Sequence, residues 1–274
     1  MAAGDSGRIR SGIVGMKLAL NWAVQGEGAP LVLLHGLFGS LDNWRWMARR
    51  LAGEFQGFSV DQRNHGGSPH SPIFDYRAMV EDLEKFLDDR RLDRVHLLGH
   101  SMGGKTAMLF AAQHSERVDK LLVADIGPGP NPPRHEGLFT LLQALPLDSM
   151  AHRGTADLWL RKRLPDPCLR GFLLKNLQLS PDGRLHWRFN LPVLQGNYGQ
   201  ILEALPLVGP VEVPTLFLRG EHSDYLFPVE LESLQQIFPH CRMVTLTGAG
   251  HWLHADQPLA FHQQVREFLQ ECPR

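Results

Sequence analysis

The chain has 274 residues, with 28 lysines and arginines against 29 aspartates and glutamates, for a formal net charge of −1. At about 100–200 residues per domain, this length suits one large domain or one domain carrying an insertion, and it can bury a core without disulfides or metals. A pI near 6.9 gives no global field for nucleic acid or anionic lipid, and Cys168, Cys241 and Cys272 are too scattered for a disulfide framework or a zinc site.

Residues 1–13, rich in Gly, Ser and Arg, read as a flexible lead-in. The apolar stretch Ile13–Val24 is interrupted by Lys17 and Asn21 and has neither the length of a membrane span nor the pattern of a signal peptide. Few unpaired cysteines and no such signal point to a reducing, cytoplasmic setting. Lys17–Val24 alternates apolar and polar residues, as an antiparallel edge strand does. Leu31–Leu34, Phe58–Val60, Val95–Leu98, Leu121–Ala124, Thr215–Leu218 and Met243–Leu246 are short, continuously apolar runs bounded by turn residues, the pattern of strands covered on both faces. Between them, Trp44–Leu51, Ala78–Leu87, Thr106–His114, Val229–Ile237 and Leu259–Leu269 carry helical periodicity. Strands alternating with helices predict an α/β fold with a largely parallel sheet.

The rhythm breaks between 128 and 207. The run Gly127-Pro128-Gly129-Pro130-Asn131-Pro132-Pro133 is a stiff, non-helical exit from a strand. Helical patterns follow at Leu138–Leu145, Thr155–Leu164 and Leu169–Leu177, then an apolar stretch Leu185–Leu191. The expected layout is a core of 14–127 and 208–274 with a mainly helical cap, 128–207, inserted after the strand ending at Asp125.

Val95–Ala112 reads as a strand, a glycine-rich turn and a helix, and it matches two motifs at once. Gly99-His100-Ser101-Met102-Gly103 is G-x-S-x-G, the turn that exposes a nucleophilic serine; Gly99 with Gly104-Lys105-Thr106 is the phosphate-cradling P-loop pattern. The rest of the chain favours the first reading. A serine hydroxyl is a weak nucleophile and needs an imidazole base, a carboxylate to orient it, and backbone N–H donors for the oxyanion. Gly250-His251-Trp252 follows the last strand and supplies His251 as the base, ahead of the nearby His254 and His262. Two carboxylates compete as the acid. Asp125 ends the strand after the nucleophile helix, and Asp224 lies in the turn Gly220-Glu221-His222-Ser223-Asp224, one residue later than the usual G-x-x-D spacing. The strand Leu31–Leu34 runs into His35-Gly36-Leu37-Phe38-Gly39, placing the Leu37 N–H, with Phe38 as the alternative, beside that of Met102 as oxyanion donors. Pairing His251 with His254 as metal ligands lacks further ligands at suitable spacing, so no metal or other cofactor is expected.

Together these residues resemble the α/β-hydrolase superfamily over nearly the whole chain. The strings HGLFGSLDNW (35–44), DQRNHGGSPHS (61–71), GHSMGGKTAM (99–108), ADIGP (124–128), HWRFN (186–190) and GHWLHAD (250–256) are similar to one subfamily, the YbfF-type bacterial esterases and their mitochondrial abhydrolase-domain relatives. The resemblance implies a serine carboxylesterase acting on a small-molecule ester or thioester, with a helical cap and no nucleic-acid or membrane-inserted partner. It also favours Asp125 over Asp224 as the acid. Phe38, His100 and Trp187 are the expected pocket residues, while Arg63, Asn64 and His65 are expected to hold loops by internal hydrogen bonds. Arg161-Lys162-Arg163 reads first as a solvated helix face, with attraction of an anionic substrate as the sharper alternative. A P-loop nucleotide binder and a non-catalytic binding protein of the same fold are the competing functions.

Overall fold

The computed structural model describes residues 16–271; the lead-in 1–13 and Cys272 lie outside the described residues. The chain runs through β1 (Trp22–Gln25), β2 (Ala29–Leu34), α1 (Arg45–Leu51), β3 (Phe55–Val60), α2 (Tyr76–Arg90), β4 (Val95–His100), α3 (Met102–Gln113) and β5 (Val118–Ala124). Next come α4 (Glu136–Gln143), α5 (Arg153–Arg161), α6 (Pro167–Leu174), β6 (Leu177–Leu179), β7 (Leu185–Trp187), α7 (Leu191–Gly196) and α8 (Tyr198–Leu202). The chain closes with β8 (Thr215–Gly220), α9 (Leu231–Ile237), β9 (Cys241–Leu246), α10 (Leu253–Asp256) and α11 (Pro258–Gln270).

The main sheet has the order β1-β3-β2-β4-β5-β8-β9 and is parallel except for β1, which pairs antiparallel with β3 at one edge. The apolar strands follow from this arrangement. Val32, Leu34, Leu97, Leu121 and Val123 face one core layer, and Leu31, Leu33, Leu98, Leu122 and Ala124 face the other. Period-two alternation between two buried faces leaves no polar position in the strand, which is why the sequence is continuously apolar. α2 and α3 cover the first face, α1 and α11 the second. Local signals set the helix ends: Asp75 caps α2 by accepting the Ala78 N–H at 2.8 Å, and Asp166 caps α6 ahead of Pro167.

Among the boundaries that differ from the sequence reading, three change an element's place or kind. The edge strand is shorter and later than Lys17–Val24. The helical pattern at 169–177 ends at Leu174, because Leu177–Leu179 pairs with Leu185–Trp187 as a two-stranded antiparallel hairpin inside the otherwise helical insertion. Val229–Ile237 starts as a 3-10 turn at Pro228–Glu230 before the helix proper. Such short strands carry too few residues for alternation to be read.

The insertion is tied to the core at both ends by one side chain. The Lys105 ammonium, on α3, donates to the Gly129 carbonyl at 2.6 Å and the Glu203 carbonyl at 2.8 Å. No helix among the described residues is long and apolar enough to cross a membrane.

Candidate active site

Strand order reverses between β2 and β4, since β3 lies on one side of β2 and β4 on the other. In open parallel sheets the crevice at the carboxyl ends of such strands receives ligands. Here those ends carry Gly36–Phe38 after β2, Ser101 after β4, Asp125 after β5, Ser223 after β8 and His251 after β9.

Ser101 sits between β4 and α3 with φ 50° and ψ −116°, a strained conformation for a residue with a Cβ. The turn closes only because its neighbours are glycine. A Cβ on Gly99 would stand 2.2 Å from the Gly103 carbonyl oxygen, and one on Gly103 would stand 2.4 Å from that of Leu34. Met102 opens the helix, so its N–H has no intrahelical acceptor.

His251 and Asp125 are brought together across 126 residues, with His251 Nδ1 2.7 Å from Asp125 Oδ2. The bond to the carboxylate places the ring proton on Nδ1 and leaves Nε2 as the basic nitrogen. Asp125 is fully buried, with φ 55°, and also accepts the Gly220 N–H at 2.9 Å and the Ser223 hydroxyl. Burial raises its pKa, and the donors Ser223 and Gly220 with Arg219 pull it back towards the ionised form. Burial also lowers the His251 imidazole well below its ordinary value, with His135 and Arg134 adding to the effect, so the ring rests neutral. The Tyr225 ring stacks on His251 at 3.7 Å, and His100 Nε2 donates to the His251 carbonyl at 2.8 Å. Asp224 is elsewhere: its exposed carboxylate pairs with Arg134. Ser223 occupies the usual acid position and serves Asp125 instead.

The loop after β2 corrects one expectation. Phe38 has φ 60° and its N–H donates to His65 Nε2 at 3.2 Å, so it is not free to bind an oxyanion. Among the described residues the Leu37 N–H makes no hydrogen bond, and Leu37 and Met102 line one cavity with Ser101. His65 is fixed in turn by its Nδ1–H on the Arg63 carbonyl at 2.9 Å, and burial holds its pKa at about 3, below the charged range. Arg63 meets Asp82 in a buried two-pronged pair at 2.7 and 2.8 Å. Asn64 binds Ser71 N through its side chain and Asn190 N through its carbonyl. Arg63, Asn64 and His65 thus hold loops around the crevice, as their sequence suggested.

A cavity of about 400 Å³ opens over Ser101 and His251. Phe38 and His100 line it; Trp187 does not, because its ring stacks on Phe189 at 4.9 Å in the hairpin layer. The lining also takes in Asn43 and Trp44 from the core, Arg134, Leu138, Leu141, Leu169 and Phe172 from the insertion, and Tyr225. Tyr225 directly follows the turn weighed for its acid, and only the fold turns its ring onto His251. His254 also lines the cavity, with its ring 5.0 Å from His100, while His262 packs on Trp46 away from it. Of the basic run, only Arg163 reaches the lining; Arg161 pairs with Asp157 at the surface. The P-loop reading fails on geometry, since the buried Lys105 ammonium faces two carbonyls rather than an anion site. No group of three or more His, Cys, Asp or Glu side chains suited to a metal occurs among the described residues.

Comparison with known proteins follows the same lines. A family model described as alpha/beta hydrolase fold matches residues 29–166. Esterase YbfF of Escherichia coli K12 is 38% identical over 250 residues, covering 90% of this chain and 95% of that protein. The sn-1-specific diacylglycerol lipase ABHD11 of Mus musculus is 39% identical over 247 residues, covering 87% and 80%. A solved marine microorganism esterase superposes with a TM-score of 0.89 at 41% identity, over 92% of this chain and 99% of that one. Sheet order, family match and relatives aligned over most of their length agree, and the chain belongs to the α/β-hydrolase family.

Proposed function

We propose that the protein is a carboxylic ester hydrolase working through an acyl-enzyme, with Ser101 as nucleophile, His251 as base and Asp125 as the orienting acid. The observation that carries this reading is the 2.7 Å bond between His251 Nδ1 and the buried Asp125, at the edge of a cavity that also holds the strained Ser101. His251 Nε2 takes the Ser101 proton as Oγ attacks the carbonyl, and the Leu37 and Met102 N–H groups receive the oxyanion. His251 then protonates the departing oxygen, and water repeats the sequence to release the acid. The names of the relatives, an esterase and a diacylglycerol lipase, support ester chemistry. Residues 128–207 act as a cap over a core of 14–127 and 208–274, and the apolar lining from α4 and α6 suits small apolar esters or thioesters of short to medium chain.

Labelling by a fluorophosphonate tests the reading. The wild type is expected to label at Ser101, with Ser101→Ala silent. A folded wild type that takes no label would instead be a non-catalytic binding protein of this fold.

A further inference from the structure

Ser101 stands at the junction of two chambers of unequal size. Beside the large cavity lies one of about 30 Å³ that shares with it Leu37, Ser101, His135 and Tyr225. Its own walls are Tyr76, Met102 and Ile126 of the core with Asn131, Pro132, Tyr198, Ile201 and Leu202 of the insertion; Tyr76, Met102, Ile126, Tyr198 and Ile201 are buried in the main core layer. The wall is braced, because the Tyr76 hydroxyl donates to the Ile201 carbonyl at 2.9 Å. The large chamber is walled on its insertion side by half-buried Leu138, Leu141, Leu164, Leu169 and Phe172.

The chemistry decides which end of an ester enters which chamber; this rests on the proposed hydrolase reading. In the first half-reaction the Ser101 Oγ–carbonyl carbon bond forms and the bond from that carbon to the leaving oxygen or sulfur breaks. The proton that His251 took from Ser101 passes to the departing atom, which leaves as a neutral alcohol or thiol. The leaving group therefore lies on the His251 side of the reacting carbon, and the acyl chain on the other. His251 lines the large chamber and not the small one, whereas Met102, a proposed oxyanion donor, lines the small one. We infer that the small chamber takes the acyl group and the large chamber the leaving alcohol or thiol, so that Ile126 and Ile201 limit acyl length while α4 and α6 select the leaving group. A water-sized group needs about 10–15 Å³, so about 30 Å³ seats an acyl tail of about two or three carbons. The substrate class is a short acyl group on a bulky, largely apolar alcohol or thiol.

The test is a panel of 4-nitrophenyl esters from acetyl to octanoyl, with 2-naphthyl acetate for a bulkier leaving group. Wild-type kcat/KM is expected to hold through propionyl or butyryl and then fall, roughly tenfold for each methylene that does not fit. Ile201→Ala should move that fall to longer chains. Ile201→Phe, which fills the chamber instead of emptying it, should confine turnover to acetyl. Leu169→Trp should lower 2-naphthyl acetate turnover relative to 4-nitrophenyl acetate and leave the acyl-length profile in place. A wild-type profile rising to octanoyl, or one moved by Leu169→Trp and unmoved by either Ile201 variant, overturns the assignment. A wild type that hydrolyses no ester and takes no fluorophosphonate removes the hydrolase reading itself, and this assignment with it.

Discussion

At the scale of single residues, the competition between Asp125 and Asp224 shows what burial and hydrogen bonding do to a carboxylate. Asp125 is sealed from water with three donors on it, and Asp224 is exposed in a surface pair with Arg134. Asp125→Asn should lower kcat by about 10⁴-fold, because the amide favours the wrong imidazole tautomer. Asp224→Asn should keep kcat/KM within a factor of about five, the most that a surface ion pair worth about 1 kcal/mol accounts for. Steady-state kinetics on the two variants separate them. The same environment sets the pH dependence. Burial depresses the His251 pKa, so the neutral base persists as pH falls below 6.5, and the acidic limb of kcat/KM should lie below the ordinary histidine value. Ser223→Ala removes a donor to the ionised Asp125 and raises that carboxyl further. Protonated Asp125 has lost the negative charge that stabilises the imidazolium formed as Ser101 attacks, so this variant's acidic limb should move to higher pH, with the plateau near neutrality less affected. A pH–rate profile of both proteins checks the sign.

Among the elements, α3 has two functions. Its first residue presents an N–H beside Ser101, and one turn later Lys105 reaches the two linkers of the insertion. Burying a lysine is costly unless its charge is satisfied, and two carbonyls placed at the entry and exit of one inserted segment satisfy it. Lys105→Met keeps the apolar stem and removes the charge and its donors. It should destabilise the protein by on the order of 2 kcal/mol, the scale of a charge-assisted bond with its partners left buried. Thermal melting would register the loss, and limited proteolysis should cut near Gly129 and Glu203 faster than in the wild type. Faster melting without easier cleavage at those linkers would assign Lys105 to general packing instead. The lysine that made the sequence look like a P-loop is thus a tether between core and insertion.

For the whole molecule, the parallel sheet gathers residues from five separate strand ends at the point where strand order reverses. No one of these loops makes a site. The insertion, entering after β5 and leaving before β8, supplies wall to both chambers, α4 and α6 to the larger and α8 to the smaller, where Tyr76, Met102 and Ile126 of the core complete it.

Most of the frame was written locally. Continuous apolar strands, helical periodicity and the glycines around Ser101 are properties of neighbouring residues, readable without a fold, as is the chain order of serine, aspartate and histidine. The choice of Ser101 over a phosphate loop also followed from the demands of its chemistry. Other features rest on contacts between residues far apart in sequence, which no local pattern encodes. Asp125 meets His251 across 126 positions, the Phe38 N–H is taken by His65, and Trp187 turns onto Phe189 instead of the cavity. Tyr225 on His251 and the partition at Ser101 belong to the same class. Periodicity and propensity are short-range, so the sequence by itself determined which elements form and which side chains can do the chemistry. Where those side chains point, what they bind and how much room is left around them arise only when the sheet is assembled, and the tertiary structure decided them.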